Sequence, residues 1–150
     1  MKTVIQRVKY ASVTIEGKVT ARIDQGLLIL LGITTDDDRA AADWLARKAA
    51  ALRIFDDENG VMNKDMQEID GQILVVSQFT LLASYKKGNR PSYIHAAAHE
   101  TAIPLYEHFI AQLSALSNKP IATGTFGADM KIELLNDGPV TICMDTNHKE

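Results

Sequence analysis

The chain has 150 residues, 46% apolar and 23% charged, with a formal net charge of −3; this is the make-up of one soluble domain over residues 1–150. That balance excludes a nucleic-acid binder held by bulk charge, though not one that grips a single RNA end through a small basic patch. No apolar run reaches the ~20 residues that span a bilayer, the N-terminus is too polar for a signal peptide, and Cys143 is the single cysteine, so the chain reads as a cytoplasmic protein without internal disulfides or membrane contact.

Residues 3–8 read as a first strand. Arg7 stands there among apolar neighbours, either solvated or pinning a backbone carbonyl. Residues 12–15 and 18–23 alternate polar and apolar around Glu16-Gly17, the pattern of a hairpin with one wet face. After a turn at Asp24-Gln25-Gly26, residues 27–33 form an apolar strand in which Gly32 marks a bulge or a close backbone approach. Thr34 to Asp38 starts a helix, with Thr35 or Asp36 as cap and acids at the positive end of its dipole. Its apolar face is Ala41, Trp44, Leu45, Ala49 and Leu52, and it runs to about Arg53 with Trp44 as a core anchor. The acidic turn Asp56 to Gly60 lacks the spacing of an EF-hand. Residues 61–70 read as an irregular connection.

Residues 73–82 read as a central strand that changes character midway. Ile73 to Val76 is a β-branched run suited to cover on both faces. Ser77 and Gln78 then break it with no turn residue. A buried hydroxyl and amide cost free energy unless paired, so the strand either pairs them internally or opens onto a site. The loop Tyr85 to Tyr93 holds Lys86, Lys87 and Arg90 between two tyrosines. Cations suit phosphates and tyrosines stack on bases, and a solvated basic loop has the same composition. A helix lies between Tyr93 and Leu116, with Pro104 either in its first turns or kinking it, and Ile103, Tyr106, Phe109, Ile110, Leu113 and Leu116 on its apolar face. His95 and His99 have a zinc-compatible spacing but no third ligand. Residues 121–126 and 130–135 look like strands across Gly127. Gly138-Pro139 is a turn feeding a last strand, in which Cys143 reads as a packed thiol.

Three segments together resemble the D-aminoacyl-tRNA deacylases: Ser77-Gln78-Phe79-Thr80, Asn136-Asp137-Gly138-Pro139-Val140-Thr141, and the basic loop Lys87-Gly88-Asn89-Arg90-Pro91-Ser92. The opening Gln6-Arg7-Val8 and the stretch Phe126-Gly127-Ala128-x-Met130 are similar too. The resemblance runs along essentially the whole chain. It implies a homodimeric enzyme that hydrolyses the ester joining a D-amino acid, or glycine, to the 3′-adenosine of tRNA. It further implies a cis Gly138-Pro139 pair that reaches across the dimer and turns its carbonyl oxygens toward the substrate ammonium. Ser77, Gln78, Phe79 and Thr80 then form the catalytic segment, with backbone N–H groups near Phe79 and Thr80 on the oxyanion. Ala102, Phe126 and Met130 border the aminoacyl-adenosine end, and Lys86, Lys87 and Arg90 meet tRNA phosphates.

The expected fold is mixed α+β, with antiparallel-rich sheets forming a barrel-like core under at least two helices. Hairpins before the first helix and strands after the second argue against a doubly wound parallel sheet. With no Gly-rich phosphate loop and no strong metal constellation, no cofactor and no metal are expected. Two other functions fit parts of the pattern: a non-catalytic RNA-end binder using Lys86, Lys87 and Arg90, and an esterase with Thr80 or Ser77 as nucleophile.

Overall fold

The computed structural model describes residues 1–149. One long strand organises it. β1 (Lys2–Ile15) merges the two short strands expected from the sequence. It turns at Glu16 and Gly17, both at positive φ, into β2 (Lys18–Ile23); this is the turn geometry that matches the twist of a hairpin. β3 (Gly26–Gly32) pairs antiparallel with the first half of β1, and β2 with the second half. α1 (Arg39–Ala50) and a small hairpin, β4 (Phe55–Asp56) and β5 (Met62–Lys64), lead to β6 (Gln72–Ser77). α2 (His99–Ser117), β7 (Ala122–Thr123) and β8 (Lys131–Asp145) complete the chain.

The main sheet runs β2-β1-β3-β6-β7, and β8 lies along the free edge of β1. Pairings of β1 with β2, β3 and β8 are antiparallel; β3–β6 and β6–β7 are parallel. The sheet is therefore mixed, with a larger parallel share than the sequence suggests. It curls until β2 lies against β6 and β7, nearly closing a barrel.

That curl gives the central strands two covered faces. Leu27, Ile29, Leu31, Ile73 and Val75 pack beneath the helices with Leu45, Phe109 and Leu113. Leu28, Leu74 and Val76 face the barrel interior with Val8, Val13 and Ile23. This accounts for the unbroken apolar runs in β3 and β6, which no half-solvated strand would carry.

The acidic triplet before α1 divides its labour. Asp38, rather than Thr35 or Asp36, is the cap, and its carboxylate accepts from Ala41 N–H at 2.8 Å. The Asp37 carboxylate is buried, accepting from Thr34 N–H at 2.6 Å and from the Met1 ammonium group. Asp38→Ala is expected to lower stability by about 1 kcal/mol in urea denaturation, the usual cost of a lost cap.

Several expectations are corrected. Trp44 packs against the core but only at its border, half-buried, with Lys48 and Lys149 over its ring, while Leu45 is fully buried. Strand β6 stops at Ser77, and Phe79–Leu82 forms a 3₁₀ turn. Gly32 explains the turn's position, because a Cβ there would stand 3.0 Å from the Gln78 carbonyl oxygen and 3.3 Å from Leu81 Cβ. α2 begins at His99, so His95 lies outside the helix and the pair loses its helical spacing. Only Ala122–Thr123 of the expected 121–126 strand pairs. Cys143 is exposed on the outer face of β8 rather than packed. In the acidic turn, Asp57 accepts from Asn59 and Val61 N–H groups, which hold its carboxyl below the usual range. Among the described residues, no helix is long and apolar enough to cross a membrane.

Candidate active site

Where β6 runs out, the sheet opens onto a cavity of about 670 Å³. Ser77 is paired with Leu31 of β3, and Gln78 N–H donates to the Leu31 carbonyl at 2.8 Å, so the strand end is fixed before the 3₁₀ turn begins. Phe79 projects from that turn, 57% exposed, and meets Tyr93 edge-on at 4.9 Å. The polar pair at the end of β6 thus opens onto a site.

The opposite wall comes from α2 and the segment before β8. Ala102 is buried on the first turns of α2, leaving room that a larger residue would fill. Phe126 packs edge-on against His99 and Tyr106, at 5.5 and 5.6 Å. Tyr106 donates to the Val75 carbonyl at 3.0 Å, tying this wall to β6. Burial pushes its phenol up to about 12, so it stays a neutral donor across the working pH range. Met130 lines the cavity from the other side.

Six of the residues singled out in the sequence therefore share one cavity: Ser77, Gln78, Phe79, Ala102, Phe126 and Met130. Thr80 sits just behind, its hydroxyl paired with the Gln78 side-chain amide. An amide takes up no proton near neutral pH whichever end faces the hydroxyl, so this partner cannot activate Thr80 as a nucleophile. Lys86 lines a different cavity, and Lys87 and Arg90 are exposed on the loop. Ala96 to Ala98 also line the cavity, and no sequence pattern marks them, since small side chains in a loop carry no signal of their own.

Gly138 and Pro139 stand elsewhere. They are exposed, joined by a cis peptide bond, and do not line the cavity of their own chain. They form the tip of a bulge: Gln6 of β1 pairs with Thr141 and Val8 with Asn136, leaving residues 137–140 opposite Arg7 alone. Two side chains hold the bulge. Asn136 accepts from Val140 N–H at 2.8 Å and donates to Gln6 at 2.6 Å. Arg7, only 7% exposed, donates to the Asp137 carbonyl at 2.8 Å and to the Ile54 carbonyl at 2.7 Å. Of the two readings of Arg7, the structure selects the pinned one.

Among the described residues, no group of three or more His, Cys, Asp or Glu side chains is placed to hold a metal. Fold and cavity define an α+β protein with a largely apolar pocket, a few polar groups at a strand end, and a rigid backbone tip displayed separately. Pockets of this kind fix the orientation of a small ligand or of the end of a larger one.

The comparisons narrow this further. The family model for D-Tyr-tRNA(Tyr) deacylase matches residues 4–145. A D-aminoacyl-tRNA deacylase of Phocaeicola vulgatus is 62% identical over 150 residues, all of both chains. Among solved structures, the c-Myc DNA unwinding element binding protein has a TM-score of 0.92 at 40% identity, covering 97% of this chain and 98% of that one. A probable eukaryotic D-amino acid tRNA deacylase has a TM-score of 0.81 at 16% identity, over 95% and 97% of the two chains, a likeness of fold alone. The chain belongs to the D-aminoacyl-tRNA deacylase family.

Proposed function

We propose that this chain, acting as one domain over residues 1–150, hydrolyses the ester joining a D-amino acid, or glycine, to the 3′-terminal adenosine of tRNA. Glycine mischarged on tRNA-Ala falls within the same substrate class. The observation that carries the reading is the meeting of Ser77, Gln78, Phe79, Ala102, Phe126 and Met130 on one cavity in a chain of this family.

Water attacks the ester carbonyl, and its proton passes by way of the ribose 2′-hydroxyl to the leaving 3′-oxygen. The protein contributes position and preorganised dipoles. The first N–H groups of a helical turn have no partner within it, which supports Phe79 and Thr80 as donors to the oxyanion. Ser77 and Gln78 orient the ester, and Ala102, Phe126 and Met130 border the adenosine and aminoacyl groups.

Handedness comes from Gly138 and Pro139. Since they do not line their own chain's cavity, the reading requires a homodimer in which each copy presents its tip to the other's cavity. The two carbonyl oxygens then hold the substrate ammonium, a charge-assisted contact worth roughly 1.5–3 kcal/mol. With the ammonium fixed, an L side chain meets the wall, whereas D side chains of many shapes are tolerated. Lys86, Lys87 and Arg90 meet tRNA phosphates. The enzyme works in the cytoplasm and uses no cofactor.

The test is release of amino acid from matched D- and L-tyrosyl-tRNA, with and without chelator. Release from the D ester alone, insensitive to chelator, is the expected result. Release from both would leave an esterase without the chirality mechanism. The likeness to a DNA unwinding element binding protein favours a second reading, a non-catalytic nucleic-acid-end binder. Saturable tRNA binding with no release from either ester would establish it. Thr80→Ala is expected to keep its rate within about tenfold, the cost of one positioning hydrogen bond. A covalent nucleophile would instead lose activity on the order of 10⁶-fold, and a trapped acyl-enzyme would appear in the wild type.

A further inference from the structure

The cavity wall that carries Phe126 and Met130 has little backbone to hold it. Both residues belong to the segment 124–130, between β7 and β8. β7 is two residues long, and among the described residues it pairs only with Leu74 and Val75 of β6. At the other end the segment is held where Lys131 of β8 pairs with Thr14. Within it, Ala128 N–H donates to the Thr125 carbonyl at 3.1 Å, a local turn that ties the segment to nothing else. Side chains must therefore fix what the ladder does not.

We infer that Tyr106 and Gly124 are positioning residues for the reaction, setting where Phe126 and Met130 stand against the aminoacyl-adenosine end. The inference rests on the tRNA-end reading of the cavity. Neither residue lines that cavity, so each acts through a neighbour. Three contacts carry it. First, the buried Tyr106 hydroxyl donates to the Val75 carbonyl at 3.0 Å, and Gly124 N–H donates to the same oxygen at 3.1 Å. A carbonyl oxygen has two lone pairs and accepts both, so α2, β6 and the start of the 124–130 segment meet at one atom. Second, the Tyr106 ring packs edge-on against Phe126 at 5.6 Å, a buried partner where the other, His99, is exposed. Third, a Cβ on Gly124 would stand 2.5 Å from Met130 Sδ, so the thioether rests where a side chain would be.

This role differs from a merely structural one in what each substitution removes. Tyr106→Phe keeps the ring on Phe126 and strands no acceptor, because Val75 retains its Gly124 donor. The fold loses little. What goes is the tie between α2, which bears Ala102, and the strand that ends at Ser77 and Gln78. Rate falls steeply with misplacement of this kind. Gly124→Ala acts from the other side. Gly124 does not have a positive φ, and the Cβ conflicts with Met130 while its next neighbour, Val76, stays at an ordinary 3.7 Å.

The experiment measures steady-state hydrolysis of D-tyrosyl-tRNA, and methionine methyl NMR spectra without substrate, for wild type, Tyr106→Phe, Gly124→Ala and Asp38→Ala. The Met130 signal, one of five methionine methyls, is assigned by its loss in Met130→Leu. Tyr106→Phe should lower kcat/KM by roughly tenfold, and Gly124→Ala by about 10- to 100-fold. Most of the loss should fall on kcat, since KM also reflects tRNA contacts that both variants keep. Both should shift the Met130 signal. Asp38→Ala, whose effect is on stability, should leave kcat and that signal as in wild type. A structural role predicts a lower urea midpoint in the two site variants with kcat and the Met130 signal unchanged, and that result overturns the inference. A shifted Met130 signal with kcat/KM within about twofold of wild type overturns it too. If Tyr106→Phe does not fold, Gly124→Ala decides by the same criteria. A wild type inactive on the D ester defeats the deacylase reading and the inference with it; an active wild type with unaffected variants defeats the inference alone.

Discussion

Gly138→Val is expected to reduce kcat/KM for D-tyrosyl-tRNA by roughly 10²-fold or more, while the chain still folds. Gly138 has φ +138°, a region that L side chains rarely adopt, and holding one there costs on the order of 1–3 kcal/mol. Space is also lacking. A Cβ would stand 2.8 Å from Val140 Cγ2 and 3.1 Å from both Arg7 Nη2 and Val140 N. Relief of these contacts must move the bulge, and a misplacement near 1 Å commonly costs about 10²-fold in rate. Gly138 is exposed and belongs to neither apolar cluster, so the core has no reason to fail with it. Far-UV circular dichroism and the urea midpoint check that point. Gly138→Ala carries the same backbone strain with less bulk and should fall in the same direction. A near-wild-type rate in folded Gly138→Val, with the D over L preference intact, would remove Gly138 and Pro139 from the proposed mechanism.

How far the sequence reaches is clear from three places. In β6 the apolar run followed by Ser77 and Gln78 marks both the buried strand and its opening, because burying unpaired polar groups is costly enough to constrain the chain locally. The end of that strand was not legible. Phe79 to Leu82 has strand-like composition, and the 3₁₀ turn follows from its close packing on Gly32, a contact distant in sequence. The bulge in β8 shows the same divide. Gly138-Pro139 announces a turn, but its position inside a continuous 15-residue strand depends on the register with β1, and no local pattern encodes register. Trp44 packs on the border of the core and Cys143 is exposed, because an apolar residue on an amphipathic element says which face it shares, not how deeply the neighbours cover that face. The segments 77–80, 126–130 and 136–141 were legible as motifs. That the first two meet on one cavity while the third stands apart is a property of topology alone.

Arg7→Met should lower the unfolding free energy by about 3–4 kcal/mol, the cost of stranding buried hydrogen-bond acceptors, with an unchanged denaturant slope. Methionine replaces the apolar stem and leaves the carbonyls of Ile54 and Asp137 without their donor. The ion pair with Asp56, at 3.1 Å, adds little to this figure, because that carboxylate is 52% exposed. Arg7→Lys should recover part of the loss: one ammonium cannot reach two carbonyls that lie on different elements as the guanidinium fork does. The same variants connect stability to the proposed function. Asp137 immediately precedes Gly138, so freeing its carbonyl loosens the tip while leaving the cavity lining untouched. Discrimination between D and L esters should therefore fall more than the rate on the D ester. A loss confined to stability, with the D over L ratio unchanged in folded Arg7→Met, would show that Arg7 supports the sheet without positioning the tip. An unchanged urea midpoint would contradict the buried network itself.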